Sequence, residues 1–159
     1  MTTNLHWLEE GTITSPKGFL AGATYSGIRT YTEDKLDLGM LYSEVPCTVA
    51  GTFTTNRVRS PSVVLDQQRV STGRAQAIVV NSGIANTCVG EQGMTDALEM
   101  SALAAKHLGL EPELVLAAST GLVGVELPMA LIRGGVDKIQ LTAEGGHAMA
   151  RAILTTDTH

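Results

Sequence analysis

The sequence is poor in aromatic and basic residues, and both shortages narrow the range of functions. Aromatic residues make up 4% of the 159 residues, so few rings are available to stack on nucleic-acid bases. Asp and Glu outnumber Lys and Arg by 16 to 11, which gives a formal net charge of −5. Because such a chain repels polyanions, we expect neither a nucleic-acid partner nor an anionic membrane partner.

Cysteine is scarce as well. The two cysteines, Cys47 and Cys88, show neither the spacing of a metal site nor a disulfide framework. We interpret both as reduced residues of the core, which is typical of a cytoplasmic protein. No two of the four histidines have the spacing at which a helix presents metal ligands, so we expect no metal site.

Long apolar runs are missing. No segment approaches the ~18 apolar residues of a membrane span, and residues 1–6 lack the basic stretch and apolar block of a signal peptide. Hydrophobic residues nevertheless make up 43% of the chain, against 17% charged residues. This composition and length predict one folded domain over residues 1–159, with an aliphatic core and no membrane partner.

Apolar and alternating segments predict strands in the first half of the chain. The residues from 11 to 29 are rich in Gly, Thr and Ser and favour short strands joined by turns. Pro46 is expected to interrupt the chain after the first of the other strands. The predicted strands are Asp37–Tyr42, Val49–Thr55, Ser62–Leu65 and Ala77–Val80.

Helical patterns follow in the second half. One helix is predicted from an N-cap at Thr95 to a stop at Gly109, and another from Pro128 to about Ile139. A last helix is predicted over residues 143–153, with Thr142 as its N-cap. Strands that precede helices predict an α/β (α+β) fold, with the helices packed on a mixed or antiparallel sheet.

Two stretches are candidates for chemistry. Val115–Gly124 reads as a buried strand that stops at Ser119-Thr120-Gly121, which is either a plain turn or a set of backbone N–H groups offered to negative charge. Asn81–Gly93 holds Gly and Asn after an apolar strand, and is either a long turn or one wall of a pocket. Spacing alone leaves both alternatives open in both stretches.

Five segments, taken in order, resemble the N-terminal or α part of the ornithine acetyltransferase family of arginine biosynthesis. That family moves an acetyl group from N2-acetylornithine to glutamate, and some members also use acetyl-CoA to make N-acetylglutamate. The five segments are spread over nearly the whole chain: Gly11–Phe19 (GTITSPKGF), Phe53–Val58 (FTTNRV), Val80–Gly93 (VNSGIANTCVGEQG), Ala117–Gly124 (AASTGLVG) and Ala152–Thr158 (AILTTDT).

The resemblance implies a layered fold and a divided active site. It implies a sandwich of two sheets between helical layers, in a precursor that cuts itself before a threonine to give α and β chains. The new N-terminal threonine of β is then the nucleophile, because its free amine can serve as the base of its own hydroxyl. The cleavage site lies beyond the last matched segment, so the nucleophile is expected on the β chain. The implied assembly is a heterotetramer of paired αβ units.

The same resemblance implies roles for particular residues. Thr120 and Gly121 would form the oxyanion hole, through the Gly121 N–H and the Thr120 hydroxyl or backbone. Thr156 would contact the substrate, with Thr155 as the alternative. Asp157 would either bind the substrate amine or cap a turn, and we favour the turn. No metal or organic cofactor is implied, and acetyl-CoA stays open as a second substrate.

Two other functions remain alternatives. The chain could be the α part of a related aminopeptidase or amidase, in which water replaces glutamate as the acceptor. It could also be a non-catalytic domain that binds a small metabolite. The five matched segments favour acetyl transfer over both.

Overall fold

The computed structural model describes residues 7–29 and 35–154. Within these ranges the elements follow the order ββαβαβαα, with a short 3-10 turn at Pro112–Leu114 before the last strand. The strands are β1 (Phe19–Thr24), β2 (Leu38–Thr48), β3 (Arg74–Ile84) and β4 (Val115–Leu122), and the helices are α1 (Pro61–Val70), α2 (Gln92–Leu108), α3 (Met129–Val136) and α4 (Gly146–Ala152).

The four strands form one mixed sheet in the order β1-β2-β3-β4. The pairs β1–β2 and β2–β3 are antiparallel, whereas β3 and β4 run parallel. Parallel neighbours need a long crossover connection, and α2 supplies it between β3 and β4. The predicted α/β class with helices on a mixed sheet is therefore confirmed.

Helices cover both faces of this sheet, to different extents. Side chains from α1, α2 and α3 form the larger core with one face, which includes Met100, Ile132 and Val79. The smaller core lies under α4, where Met149 packs with Val80. The neighbours Val79 and Val80 belong to different cores because successive side chains of a strand point to opposite faces.

The segment predicted as the strand Ser62–Leu65 is wrong, since it lies within α1. Ser60 is the N-cap, and its hydroxyl accepts a hydrogen bond from the Val63 N–H at 3.3 Å. Pro61 takes the first helical position, where its missing N–H costs nothing. Ser followed by Pro is a helix-start signal, and the short apolar run after it favoured a strand by periodicity alone.

Two further strand predictions need correction. Val49–Thr55 contains no strand. Pro46, expected to interrupt the chain, instead lies inside β2, which continues to Thr48 across a shift in register between Tyr42 and Cys47. An irregularity of this kind accommodates proline, because the residues within it do not need to donate to the ladder.

The helix boundaries also differ from their predictions. The second helix begins at Gln92 rather than after Thr95, while its end at Gly109 is confirmed by a left-handed φ of 68°. The third ends at Val136, short of Ile139. Its Gly135 packs closely on Ser26 and Leu38, whose side chains a Cβ at this position would force to shift.

The last helix starts later than predicted because Thr142 is not its N-cap. Thr142 exchanges two backbone hydrogen bonds with Ala21 of β1, at 3.0 and 2.9 Å, and so extends the edge of the sheet. The interpretation of the cysteines as core residues is wrong for Cys88, which is exposed, whereas Cys47 is half-buried; both are free. Cys88 has a φ of 62° in the connection after β3, where its side chain faces solvent.

A buried carboxylate organises the connection between β1 and β2. Asp37 is fully buried and accepts hydrogen bonds from three backbone N–H groups, those of Ser26 (2.7 Å), Ile28 (2.6 Å) and Arg29 (3.1 Å). The Asp37 carbonyl in turn accepts from the Ser82 N–H of β3 at 2.9 Å. One residue therefore ties the turn after β1 to the end of β3.

The outer edge of β4 is bonded to side chains of α1. At spacings of four and three residues along the helix, Ser62, Asp66 and Arg69 lie on one face and meet alternate residues of β4. The Asp66 carboxylate accepts from the Ala117 N–H at 2.9 Å, and the Arg69 guanidinium donates to the Val115 carbonyl. Polar groups that the strand leaves unpaired on this side are thus satisfied by the helix.

Burial shifts the pKa of both charged members of this helix face. Desolvation raises the pKa of Asp66 to about 6, although the bond from Ala117 and the nearby charge of Arg69 act in the opposite direction. Desolvation likewise lowers the pKa of Arg69, against the attraction of Asp66 and Glu113. The carboxylate is therefore held in the fold against an opposing desolvation cost.

Replacing Asp37 by Ala should destabilise the fold by about 3 kcal/mol or more, because three N–H groups would lose their charged acceptor in a buried site. Chemical denaturation of the two proteins measures the difference. Asp137→Ala is the matched control, since the Asp137 side chain is 87% exposed, and its change should stay within about 0.5 kcal/mol. Equal effects of the two substitutions would contradict the role given to Asp37.

The raised pKa of Asp66 makes part of the stability depend on pH. Folding favours the protonated carboxyl, so this contribution is fully present below the unfolded pKa of 3.8 and is lost as pH rises through about 6. Asp66→Asn does not titrate. Relative to the parent protein, its free energy of unfolding should therefore increase by about 1 kcal/mol between pH 4 and pH 8, after allowance for solvent screening of a partly exposed group. Denaturation at both pH values tests this, and a constant difference would contradict it.

Candidate functional site

The carboxyl ends of β3 and β4 bring the two candidate stretches together. The parallel register pairs Asn81 with Ser119, Ser82 with Thr120, and Gly83 with Gly121. The sequence predicted that this strand stops at Ser119-Thr120-Gly121. In the structure, β4 continues through Leu122. Likewise β3 extends to Ile84, so the first residues of Asn81–Gly93 belong to a strand and only the remainder is a connection. Carboxyl ends of parallel strands are a common place for ligands in α/β proteins.

Two paired glycines allow the strand ends to approach closely. Gly83 and Gly121 have φ angles of 105° and 131°, which a residue with a side chain rarely adopts. A Cβ on Gly121 would overlap the backbone of Gly83, and a Cβ on Gly83 would lie 2.7 Å from the Arg29 Cα. The backbones of Arg29, Gly83 and Gly121 are thus packed on one another, with Gly83 between the other two.

The alternation of β4 orients its polar groups. Ala117 N–H and Val115 carbonyl point outward to α1, whereas the Leu122 carbonyl accepts from the Ala85 N–H on the β3 side at 2.8 Å. Successive N–H groups of a strand point to opposite edges, so the Gly121 N–H points outward, like that of Ala117. Gly121 is exposed and Thr120 is half-buried. An outward donor at an exposed position is available to a ligand.

The helix α1 does not extend along β4 as far as Gly121. Its first buried side chain, Ser62, meets Ser119 with the two hydroxyl oxygens 3.4 Å apart. Gly121 is the next outward-facing residue, beyond the N-terminus of α1. The side chains of α1 therefore contact β4 at its first three outward positions, twice through backbone groups and once through the Ser119 side chain, and the fourth position lies beyond them.

Two helix N-termini adjoin this end of the sheet. The helix α1 begins near Ser119, and α2 begins where the connection from β3 ends. The two beginnings lie close together, since a Cβ on Gly93 of α2 would be 2.9 Å from a ring carbon of Pro61. Helix N-termini carry partial positive charge. The surroundings of Gly121 therefore favour negative charge.

The connection after β3 is held by its own asparagines. Asn86 is fully buried with a φ of 49°, and its amide donates to the Gly93 carbonyl at 2.8 Å. The Asn81 amide donates to the Ile84 carbonyl at 2.9 Å. The Thr87 carbonyl accepts from the Gly124 N–H at 2.8 Å, which joins this connection to the one after β4. These contacts favour the turn interpretation of Asn81–Gly93, with the turn supporting one side of the site.

The structure places some of the predicted site residues and leaves others outside its range. Thr120 and Gly121 are adjacent at the exposed end of β4. Thr155, Thr156 and Asp157 lie outside the described residues. Ser82, the partner of Thr120, is fully buried, and its hydroxyl has no hydrogen-bond partner within the described residues.

Sequence reasoning missed the α1 side chains that border the site. Ser62, Asp66 and Arg69 carry a usable signal, since polar residues three and four apart share one face of a helix. That signal was hidden because the segment was interpreted as a strand. In the part of the chain that the structure describes, no three His, Cys, Asp or Glu side chains are grouped so that they could hold a metal ion. Nor is any helix there long and apolar enough to cross a membrane.

Comparison with known proteins assigns the family. The model of the ArgJ family matches residues 20–159. A protein of Dehalococcoides mccartyi named arginine biosynthesis bifunctional protein ArgJ is 47% identical over 99% of this chain, and its Symbiobacterium thermophilum counterpart is 48% identical over 97%. The chain spans 39% of the length of each of these relatives.

Solved structures agree with the sequence comparison. ArgJ of Bacillus halodurans superposes with a TM-score of 0.89 at 39% identity, over 96% of this chain and 80% of that one. Ornithine acetyltransferase of Mycobacterium tuberculosis, solved in complex with ornithine, superposes with a TM-score of 0.90 at 34% identity, over 96% and 83%. Both sequence and fold therefore establish that the chain belongs to the ArgJ family.

Proposed function

We propose that this chain is the α portion of an acetyltransferase that moves an acetyl group from N2-acetylornithine to glutamate. The observation that carries the proposal is the exposed position of Gly121 at the end of β4, near the N-termini of α1 and α2, where strand alternation points its N–H outward. A relative solved with ornithine, at 34% identity, supports the substrate class. We further propose that the protein acts in the cytoplasm, in arginine biosynthesis.

In this proposal, Thr120 and Gly121 stabilise the oxyanion of each tetrahedral intermediate. A threonine hydroxyl of the β segment attacks the acetyl carbonyl, and its proton passes to the free amine of that threonine. The carbonyl oxygen becomes negative and accepts hydrogen bonds from the Gly121 N–H and from the Thr120 hydroxyl, since strand alternation points the Thr120 N–H toward β3. The amide bond then breaks, and the threonine amine gives the proton to the departing nitrogen of ornithine. Ornithine is released, and an acetyl-threonine ester remains.

The second half of the reaction reverses these roles. The amine of glutamate attacks the ester carbonyl, and the oxyanion forms in the same place. The ester bond breaks, the threonine recovers its proton, and N-acetylglutamate leaves. One set of donors thus serves both halves, because both pass through an intermediate of the same shape and charge.

The remaining features of the protein are proposed on the same footing. We propose that Thr156, or Thr155 in its place, contacts the substrate, and that αβ units pair into a heterotetramer. The proposed reaction consumes no cofactor. Acetyl-CoA, when used, would donate its acetyl group to the same threonine, with the thiol of CoA as the leaving group.

We expect this chain expressed alone to turn over no acetylornithine, because the proposed nucleophile lies in the β segment. Co-expression with the β segment of its precursor should restore transfer of labelled acetyl from acetylornithine to glutamate. Free acetate as the product would indicate an amidase instead. Transfer by the chain alone would contradict the division of the site.

Thr120→Ala in the assembled enzyme should lower kcat by about 10² or more with a small change in KM, because the lost contact is made in the transition state. Thr120→Ser keeps the hydroxyl and should retain most of the rate. Thr52→Ala, at an exposed threonine of the β2–α1 connection, serves as the control. Steady-state kinetics separate kcat from KM, and an unchanged kcat in Thr120→Ala would remove that side chain from the oxyanion hole.

A further inference from the structure

We propose that Asp66 is a positioning residue for the oxyanion hole, which it serves by anchoring the outer edge of β4 through the Ala117 N–H. The inference rests on the proposed acetyl transfer. It concerns a residue of α1 that lies outside the strand bearing the proposed donors. Asp66 acts through the backbone of β4 and not by contact with the substrate.

The contacts of β4 show why an anchor matters on this side. Along its inner edge, β4 is bonded to β3 over its whole length, from Val115 to Leu122. On its outer edge, within the described residues, the hydrogen bonds to the β4 backbone come from side chains of α1. The direction in which the Gly121 N–H points depends on how the strand is oriented about its own axis, and the Asp66 bond adds a constraint at the outer edge to the ladder that holds the inner edge.

Asp66 is the anchor closest to the proposed donors. Arg69 holds the Val115 carbonyl, six residues before Gly121, whereas Asp66 holds the Ala117 N–H, four residues before it. The Ser62 contact joins two side chains 3.4 Å apart and does not hold the backbone. Ala117 itself is buried, so its N–H has no ready replacement from water when the carboxylate is removed.

Charge and geometry at Asp66 can be separated by substitution. The charged groups that act on it are Arg69 on the same helix and, through Arg69, Glu113 on the 3-10 turn. Asparagine keeps an acceptor oxygen at the same distance without the charge. Glutamate keeps the charge but carries the acceptor one methylene further, which would displace the strand or break the bond. A positioning role predicts that Asn is the better substitute.

The test uses the assembled enzyme, with the chain co-expressed with its β segment, and measures kcat and KM for acetylornithine at pH 8. Asp66→Ala should lower kcat by about tenfold or more, with KM within about threefold, since small displacements of catalytic groups are costly. Asp66→Asn should retain at least about half of kcat, and Asp66→Glu should lose more than Asn does. Gln68→Ala, at an exposed position two residues along the helix, should match the parent enzyme.

Hydrogen exchange gives a readout that does not depend on activity. Asp66→Ala should speed amide exchange in residues 115–122 while leaving residues 19–24 and 38–48 unchanged, and Asp66→Asn should restore the slow exchange. If Asp66→Ala does not fold, the comparison of Asn with Glu decides the question. Equal kcat in all variants, or a better Glu than Asn, would overturn the positioning role. An inactive parent enzyme with the expected exchange pattern would overturn the proposed function and leave the anchor in place.

Discussion

The parallel contact between β3 and β4 is the constraint on which the site depends. At its carboxyl end the two strands approach through Gly83 and Gly121, whose backbones meet with no room for a Cβ on Gly121. The ladder continues for one more pair, Ile84 with Leu122, beyond this contact. Thr120 therefore lies directly before a glycine whose positive φ a residue with a side chain rarely adopts.

An edge strand leaves a row of polar groups unpaired, and natural folds must satisfy them or expose them. Here the position of α1 decides which groups are satisfied and which stay exposed. Its side chains contact β4 at Ser119, Ala117 and Val115, whereas Gly121 lies beyond the N-terminus of the helix. The length and register of α1 therefore decide which backbone groups are used for the fold and which remain for a ligand. The partial positive charge at its N-terminus comes from the same placement.

The sequence predicted much of this fold where local physics dominates. The apolar run at Ala77–Val80 is a buried strand, and Gly109 ends a helix because it can adopt a left-handed φ. The short apolar pattern gave the wrong prediction at Ser62–Leu65, where the helix-start signal of a Ser cap followed by proline outweighed it. The prediction at Pro46 was also wrong, since a register shift that tolerates proline is a property of two strands and not of one.

For the candidate site, the contributions of sequence and structure are more clearly separated than for the fold. Thr120 and Gly121 are proposed as site residues through resemblance, because spacing alone left their stretch as a plain turn or a chemical site. For Asp66 the sequence carries only its place on the polar face of a helix: its partner Ala117 is fifty-one positions away and offers only a backbone N–H, which every residue but proline has. Contacts between a side chain and a distant backbone leave no pattern in the sequence. They become visible only when the strand edge is known.

The arrangement also explains why the proposed donors and the proposed nucleophile can belong to different segments of a protein. Donors that stabilise an oxyanion must be fixed before the reaction, because reorganising them would cost what they contribute. A strand bonded to a neighbour on one edge and to a helix on the other meets that requirement without help from the nucleophile. A terminal threonine, by contrast, cannot be ready before cleavage, because its amine must be freed by that cleavage before it can act as a base. In the proposed enzyme, separating the two would let the sheet stay rigid while the precursor is cut at the nucleophile.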